Sequence, residues 1–180
     1  MILKNPAGEF PKISESAYIC ESAVITGNVV IGENVFIAPH VSIRADEPDS
    51  KVIIRNNCNI QDNVTVHSLA NTTAIIDDFT SLAHGCIVHG PIKIGKNCFI
   101  GFNSVVYASS IGDRCFISHR ALVKDVRIPD NRVVEDGWII NRQDYVNKLG
   151  KITDEMIEFA NNVAHTNIML TKYYSKIKDV

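Results

Sequence analysis

Three histidines, His67, His84 and His89, fall in one short stretch of the chain, the last two within H-G-C-I-V-H. Imidazole is a common zinc ligand, and three neutral imidazoles with a fourth position open make a catalytic zinc site. Such an ion lowers the pKa of its bound water to about 7, so that a hydroxide forms and attacks an electrophilic carbon. Whether the three side chains can meet depends on the elements that carry them.

An aliphatic residue recurs at every sixth position from Ile13 to Val123. Insertions interrupt the series at EPDSK (residues 47–51) and within SLANTT (residues 68–73), and one residue is dropped before Ile111. A six-residue period with one aliphatic position is typical of a parallel β-helix, in which three hexads close one triangular coil. A second inward column, four residues after each aliphatic, takes small residues. We interpret four of its members as small buried hydrophobes, namely Cys58, Cys86, Cys98 and Cys115.

The repeats predict an all-β chain followed by one helix. The six-residue period weakens after Val123. Thr153 is a suitable N-cap for an amphipathic helix over about residues 154–176, which we expect to pack alongside the β-helix. The expected segments are an N-terminal lead-in at 1–12, the β-helix at 13–140, and a linker with the C-terminal α-helix at 141–180.

The period also predicts which outward side chains are neighbours. Every third hexad stacks on the same face, so Arg44, His67, His89 and Tyr107 occupy one position in successive coils. His67 and His89 therefore lie on adjacent strands, about 4.8 Å apart. At that separation the two imidazoles can converge on one ion with bonds of about 2.0 Å.

His84 belongs to another face, at a corner, where it stacks with Asp62. It can complete the site only if a second subunit presents that face, and a closed trimer would make three equivalent sites. The alternative is that these are ordinary surface or interface histidines. We expect that simpler role for His40, His119 and His165.

Composition excludes several classes of partner. The formal net charge of −2 gives no basic footprint for nucleic acid, and no apolar run approaches the length that a membrane span needs. The opening apolar stretch is too short for a signal peptide and is broken by Pro6 and Gly8. The five cysteines form no C-x-x-C pair. We therefore expect a cytoplasmic protein with reduced thiols and with no nucleic-acid or membrane partner.

The motifs RADE (44–47), NIQDN (59–63) and H-G-C-I-V-H-G-P (84–91), together with His67, resemble the gamma-class carbonic anhydrases over most of the chain. The resemblance implies a left-handed β-helix, a homotrimer, and reversible hydration of carbon dioxide to bicarbonate by a metal-bound hydroxide. Imidazole ligands suit Zn²⁺ and Fe²⁺ alike, so either ion is possible. The residues matched to the metal are His67 and His89 of one subunit and His84 of its neighbour, and those matched to the interface are Arg44 and Asp46. Asp62 resembles either a partner of Arg44 across the interface or a carboxylate that supports a metal ligand.

The same resemblance implies roles close to the substrate. Gln61 and Asn59 match residues that orient the metal-bound water and the substrate, and Glu47 matches a carboxylate that relays protons. Asn167 aligns with an asparagine that faces the site from the helix. Tyr107, one coil beyond His89, either lines the pocket or packs on the surface.

One segment departs from the family pattern. Some members carry a longer acidic loop after the first histidine, whereas residues 68–73 contain no carboxylate. Because proton transfer requires a titratable group within reach of the water, either Glu47 is sufficient or turnover is slow. Two alternatives stay open: a coenzyme A-dependent acyltransferase that uses one histidine as a base, and a metal-bearing trimeric scaffold with weak or no activity.

Overall fold

The computed structural model describes residues 1–177, which form a triangular parallel β-helix with a C-terminal helix. Strands are numbered along the chain, and each coil contributes one strand to each of three sheets. The strands of the first sheet are β1 Ile2–Leu3, β4 Val24–Gly27, β7 Ser42–Ala45, β10 Thr65–His67, β13 Ile87–His89, β16 Val105–Tyr107, β19 Leu122–Lys124 and β22 Ile139–Ile140.

The second and third sheets complete the triangle. The second contains β2 Lys12–Ile13, β5 Val29–Ile31, β8 Lys51–Ile54, β11 Thr73–Ile76, β14 Ile92–Ile94, β17 Ser110–Ile111 and β20 Arg127–Ile128. The third contains β3 Tyr18–Ile19, β6 Phe36–Ile37, β9 Asn59–Ile60, β12 Ser81–Leu82, β15 Phe99–Ile100, β18 Phe116–Ile117, β21 Arg132–Val134 and β23 Gly150–Lys151. Pairing is parallel between coils, and β23 is antiparallel to β21. The predicted left-handed β-helix is confirmed.

The core is built from the two inward columns. The periodic aliphatics from Ile25 onward are buried, with Ile37, Ile60 and Val88 fully enclosed. The four cysteines interpreted as small hydrophobes are also buried and free, as predicted. Each coil adds side chains at the same two inward positions, so the hydrophobic core continues from coil to coil along the axis of the β-helix.

The expected weakening of the period after Val123 is wrong. Ile128, Val134 and Ile140 are buried and extend all three sheets by a further coil. One residue is missing between Val123 and Ile128, so the six-residue count shifts although the inward positions continue.

Two helices follow the coils: α1 Gln143–Val146 and α2 Asp154–Ile177. The Thr153 hydroxyl accepts a hydrogen bond from the Met156 amide (3.3 Å), as an N-cap does. Helix α2 lies along the third sheet, where Ala160 packs with the outward aromatic side chains of Phe99 and Phe116. Residues 178–180 of the predicted C-terminal segment lie outside the described part of the chain.

Candidate metal-binding site

The predicted histidine stack is present on the first sheet. His67 in β10 pairs in register with Arg44 in β7 and with His89 in β13, and His89 pairs with Tyr107 in β16. The residue before each of these side chains points into the core, so all four point outward. The ring of Tyr107 lies 5.3 Å from that of His89, in the next coil.

The two imidazoles converge. Nδ1 of His67 lies 3.0 Å from Nε2 of His89, and the ring planes are inclined at 73°. At this distance the two rings share a hydrogen bond. Two nitrogens that bind a tetrahedral ion at 2.0–2.1 Å lie about 3.3 Å apart, so a small shift of the rings would let both bind one ion. Nε2 of His67 is buried and has no hydrogen-bond partner within residues 1–177. The neutral donor set and its spacing therefore suit zinc or ferrous iron.

Two carboxylates approach the same histidine. Nε2 of His67 lies 3.4 Å from Oδ1 of Asp46 and 3.5 Å from Oε1 of Glu47. The other oxygen of Asp46 accepts a hydrogen bond from Nε of Arg44 (3.0 Å). Burial by itself raises the pKa of the Asp46 carboxyl, but the hydrogen bond and charge of Arg44 outweigh it and lower the pKa below its ordinary value. Arg44 and Asp46 thus pair within one chain, and their role between subunits stays a prediction.

Glu47 is held by the loop that lacks acids. Its Oε2 accepts a hydrogen bond from the backbone N–H of Ala70 (2.8 Å), within the SLANTT segment. That segment is stabilised by an internal hydrogen bond, which the Thr72 hydroxyl donates to the Leu69 carbonyl (2.7 Å). The side chain of Glu47 is 37% exposed. The Glu47 carboxylate is therefore fixed near His67 by the Ala70 N–H and is open to solvent on its other side. The sequence did not predict this hydrogen bond between Glu47 and Ala70.

His84 lies at a corner after β12 of the third sheet. Its Nδ1 lies 2.8 Å from Oδ2 of Asp62, its predicted neighbour in the stack, and its side chain is 54% exposed. Gly85 turns the corner with φ +70°, and a Cβ there would lie 2.4 Å from Oδ1 of Asn103. Within residues 1–177, no three His, Cys, Asp or Glu side chains are placed to hold one ion.

Several predicted residues meet in a cleft between the third sheet and α2. Gln61, Asp62, His84 and Asn167 line this cleft, whose volume is about 390 Å³. Oε1 of Gln61 accepts a hydrogen bond from the His84 amide (3.3 Å). Asn59 is placed differently: it is 1% exposed, its amide nitrogen contacts Ser81, and it is not among the lining residues of this cleft.

An aromatic extension of this corner was missed by the sequence reasoning. His119, expected to be an ordinary surface residue, stacks on Phe102 with ring centroids 4.3 Å apart and accepts a hydrogen bond from the Phe102 amide (3.0 Å). The Phe102 ring lies 5.4 Å from His84. The sequence contained the information needed to predict this cluster, because His84, Phe102 and His119 occupy equivalent positions in successive coils.

A triangular parallel β-helix built on a six-residue aliphatic period belongs to the class of hexapeptide-repeat proteins. Two family models match: the bacterial transferase hexapeptide (six repeats) over residues 10–45, and the hexapeptide repeat of succinyl-transferase over residues 91–119. A carbonic anhydrase of Methanosarcina thermophila is 31% identical, with 96% of this chain and 78% of the relative covered. The chain belongs to the gamma-class carbonic anhydrase family.

Other relatives carry different descriptions. A carboxysome assembly protein of Nostoc sp. is 38% identical over 91% of this chain, but the chain spans only 31% of that protein's length. A Bacillus cereus structure provisionally described as an acetyltransferase has a TM-score of 0.87 at 27% identity, with 98% of both chains covered. A hexapeptide transferase family protein of Anaplasma phagocytophilum has a TM-score of 0.68 at 25% identity, covering 97% of this chain and 98% of that one. Within residues 1–177, neither helix has the length and apolar character needed to cross a bilayer.

Proposed function

We propose that the chain forms a homotrimer that binds zinc or ferrous iron between subunits and reversibly hydrates carbon dioxide in the cytoplasm. The observation that carries the proposal is the 3.0 Å approach of His67 Nδ1 to His89 Nε2. These two histidines would hold the ion with His84 of the partner subunit. When bound, an ion with three neutral ligands supplies hydroxide from water at neutral pH.

Residues of the chain would orient the substrate and remove the proton. The Gln61 amide oxygen is used by the His84 N–H, which leaves its NH₂ group free to donate to a substrate oxygen. The Glu47 carboxylate is fixed by Ala70 and open to solvent, so it can accept a proton and release it to bulk water. The NH₂ group of Asn167 donates to the Val163 carbonyl (2.8 Å), so Asn167 would present its amide oxygen from α2 to the cleft.

The outward face of the first sheet supports self-association. Beside the histidine column runs a column of apolar side chains that includes Ile87 (40% exposed), Leu122 and Ile139 (56% exposed). A contiguous exposed apolar face marks an interaction surface. A second copy of the chain would cover it while bringing His84 to the ion, and Arg44, Asp46 and Asp62 would then form the polar margin of the interface.

Stopped-flow measurement of carbon dioxide hydration tests the proposal, using trimer purified without oxygen and with its metal content determined. We expect activity that disappears on chelation and returns with zinc or ferrous iron. Full metal occupancy without hydration of carbon dioxide would contradict the proposed activity but not the proposed metal site.

Acyl transfer is the second candidate function. It is favoured by the similarity to the Bacillus cereus structure and by the exposed His84, whose Nδ1 is oriented by Asp62 at 2.8 Å. A carboxylate behind a histidine orients the ring for use as a base. Binding of acetyl-coenzyme A, with turnover that survives metal removal, would favour this function. A silent trimer with full metal content would instead favour a scaffold role, as the similarity to a carboxysome assembly protein suggests.

A further inference from the structure

Two columns of outward side chains run parallel to the axis of the β-helix. The strand column lies on the first sheet and consists, in successive coils, of Arg44, His67, His89, Tyr107 and Lys124. The corner column follows the strands of the third sheet and consists of Asp62, His84, Phe102, His119 and Asp136. Successive members of either column are about 4.8 Å apart, as neighbouring strands are. The two columns therefore have the same repeat along the axis.

The proposed metal site determines how the two columns would meet between subunits. His84 lies in the same coil as His89 and precedes it in the chain, so its height along the axis lies between the heights of His67 and His89. Rotation about a three-fold axis parallel to the coils leaves that height unchanged. His84 of the partner subunit would therefore face the gap between His67 and His89 without any sliding of one subunit along the other.

Because the columns share one repeat, bringing one pair of residues together sets the height of every other pair. Phe102 of the partner subunit would lie between His89 and Tyr107, and His119 of the partner subunit would lie between Tyr107 and Lys124. The strand column beyond the metal would thus face the aromatic part of the corner column.

The charges at the two ends of the columns agree with this register. Asp62 of the partner subunit would lie just beyond Arg44, and Asp136 of the partner subunit would lie just beyond Lys124, so an acid meets a base at each end. Within its own chain Lys124 is paired with Asp125 at 3.7 Å, and both side chains are exposed. Since an exposed pair of this kind contributes little, Lys124 is available to a carboxylate across an interface. Complementary charges of this kind fix the register of an interface.

The corner column forms a preformed groove for an aromatic side chain. The groove has a volume of about 370 Å³ and is lined in part by Phe102, His119 and Asp136. The Phe102 and His119 rings are stacked with centroids 4.3 Å apart, and Nδ1 of His119 accepts a hydrogen bond from the Phe102 amide (3.0 Å). Oδ1 of Asp136 accepts one from the His119 amide (2.7 Å). A groove already held in shape reduces the ordering cost of association.

We propose that the trimer interface continues beyond the metal site through these columns. Tyr107 of one subunit packs in the groove formed by Phe102 and His119 of the partner subunit, and Lys124 pairs with Asp136 of the partner subunit. The inference rests on the proposed function in one respect, since the metal site between subunits sets the register. The contact also holds the subunits together without the ion, so the metal binds to a trimer that already exists.

Chemical cross-linking between two differently tagged chains tests the register. One chain carries Phe102→Cys and the other Tyr107→Cys, both with Cys20→Ser to remove the partly exposed native thiol. After co-expression, a short bismaleimide should give a covalent product that carries both tags, with or without metal. Replacing Tyr107→Cys by Thr26→Cys, about 19 Å lower in the same column, should reduce that product at least tenfold. Equal yields from the two pairs, or no product from the Phe102 and Tyr107 pair, would overturn the inference.

Alanine variants test whether the contact stabilises the trimer. Tyr107→Ala should raise the concentration at which the metal-free trimer half-dissociates by about tenfold or more, as sedimentation equilibrium would show. Adding Phe102→Ala should have less than its separate effect, because the two rings share one contact. Phe10→Ala removes an exposed ring outside both columns and should change nothing. A metal-free chain that stays monomeric, or Tyr107→Ala with unchanged dissociation, would contradict the contact.

Hydration of carbon dioxide measured on the same preparations separates this inference from the proposed function. Register-specific cross-linking without hydration removes the proposed activity alone. Hydration by a metal-loaded trimer that does not cross-link removes only the contact between the columns.

Discussion

Replacing His84 by alanine should remove the metal and leave the coil folded. The side chain is 54% exposed, its Nδ1 lies 2.8 Å from Asp62, and its ring lies 5.4 Å from that of Phe102. An exposed polar contact of this kind is worth about 0–1 kcal/mol. For a chain of this size the melting temperature should lie no more than about 4 °C below that of the metal-free parent protein. The metal content should fall from one ion per subunit to nearly none.

A mixture of two inactive variants tests whether the site lies between subunits. His84→Ala retains the His67 and His89 pair, whereas His67→Ala retains His84, so neither homotrimer has a complete site. In a mixed trimer, one of the three interfaces joins the two intact halves. Random assembly of equal amounts gives mixed trimers in about three quarters of cases, and hence about 0.25 ions per subunit.

The assay is metal analysis after co-expression with two different affinity tags; mixed trimers isolated through both tags should hold about 0.33 ions per subunit. His165→Ala, at an exposed position of α2, is the matched control and should keep one ion per subunit. A mixture that binds no metal, or a His84→Ala homotrimer that keeps its full metal content, would refute the intersubunit arrangement.

Three further outcomes are expected. Leu122→Asp places a charge in the apolar column of the first sheet and should convert the trimer into the 19.9 kDa monomer. Light scattering measures this change, and a trimer that persists would exclude that face as the interface. Gly95→Ala would put a Cβ 2.7 Å from the backbone of the next coil and should cost about 1–3 kcal/mol in a thermal melt, whereas Gly150→Ala meets nothing within 4 Å and should be neutral. Burial raises the pKa of Cys58 to about 12. This thiol should therefore resist Ellman's reagent at pH 8 until the protein unfolds, while the partly exposed Cys20 reacts. Rapid labelling of Cys58 in native protein would contradict its burial.

The sequence was sufficient to predict the stack but not the contacts within it. A strict period determines which residues share a column, so the order Arg44, His67, His89, Tyr107 followed from counting. Side-chain torsions are not periodic. The approach of Asp46 to His67 therefore could not be predicted.

The region around α2 was less predictable for a related reason. The helix itself was predicted from its cap and its spacing, and it is present. How it lies on the third sheet depends on Phe99 and Phe116. Their outward column also contains the polar residues Asn59 and Ser81, so it carries no periodic hydrophobic signal of its own. The cleft between Leu170 and His84 arises from that docking, so it could not be derived from the repeats.

The two insertions show how the loops beside His67 can vary in sequence while the β-helix keeps its strand pairing. Both leave the hexad register intact, because β8 and β11 pair normally. Lys51 and Thr73, expected within the insertions, begin these two strands and pair with each other, so only residues 47–50 and 68–72 loop out. The loops also contact each other, since the Asn71 amide donates to the Pro48 carbonyl (2.9 Å) and Ala70 donates to Glu47. The short second loop thus supplies a backbone donor in place of a carboxylate. This contact keeps a titratable group beside His67, which supports Glu47 as the proton acceptor in a chain whose second loop has no acid of its own.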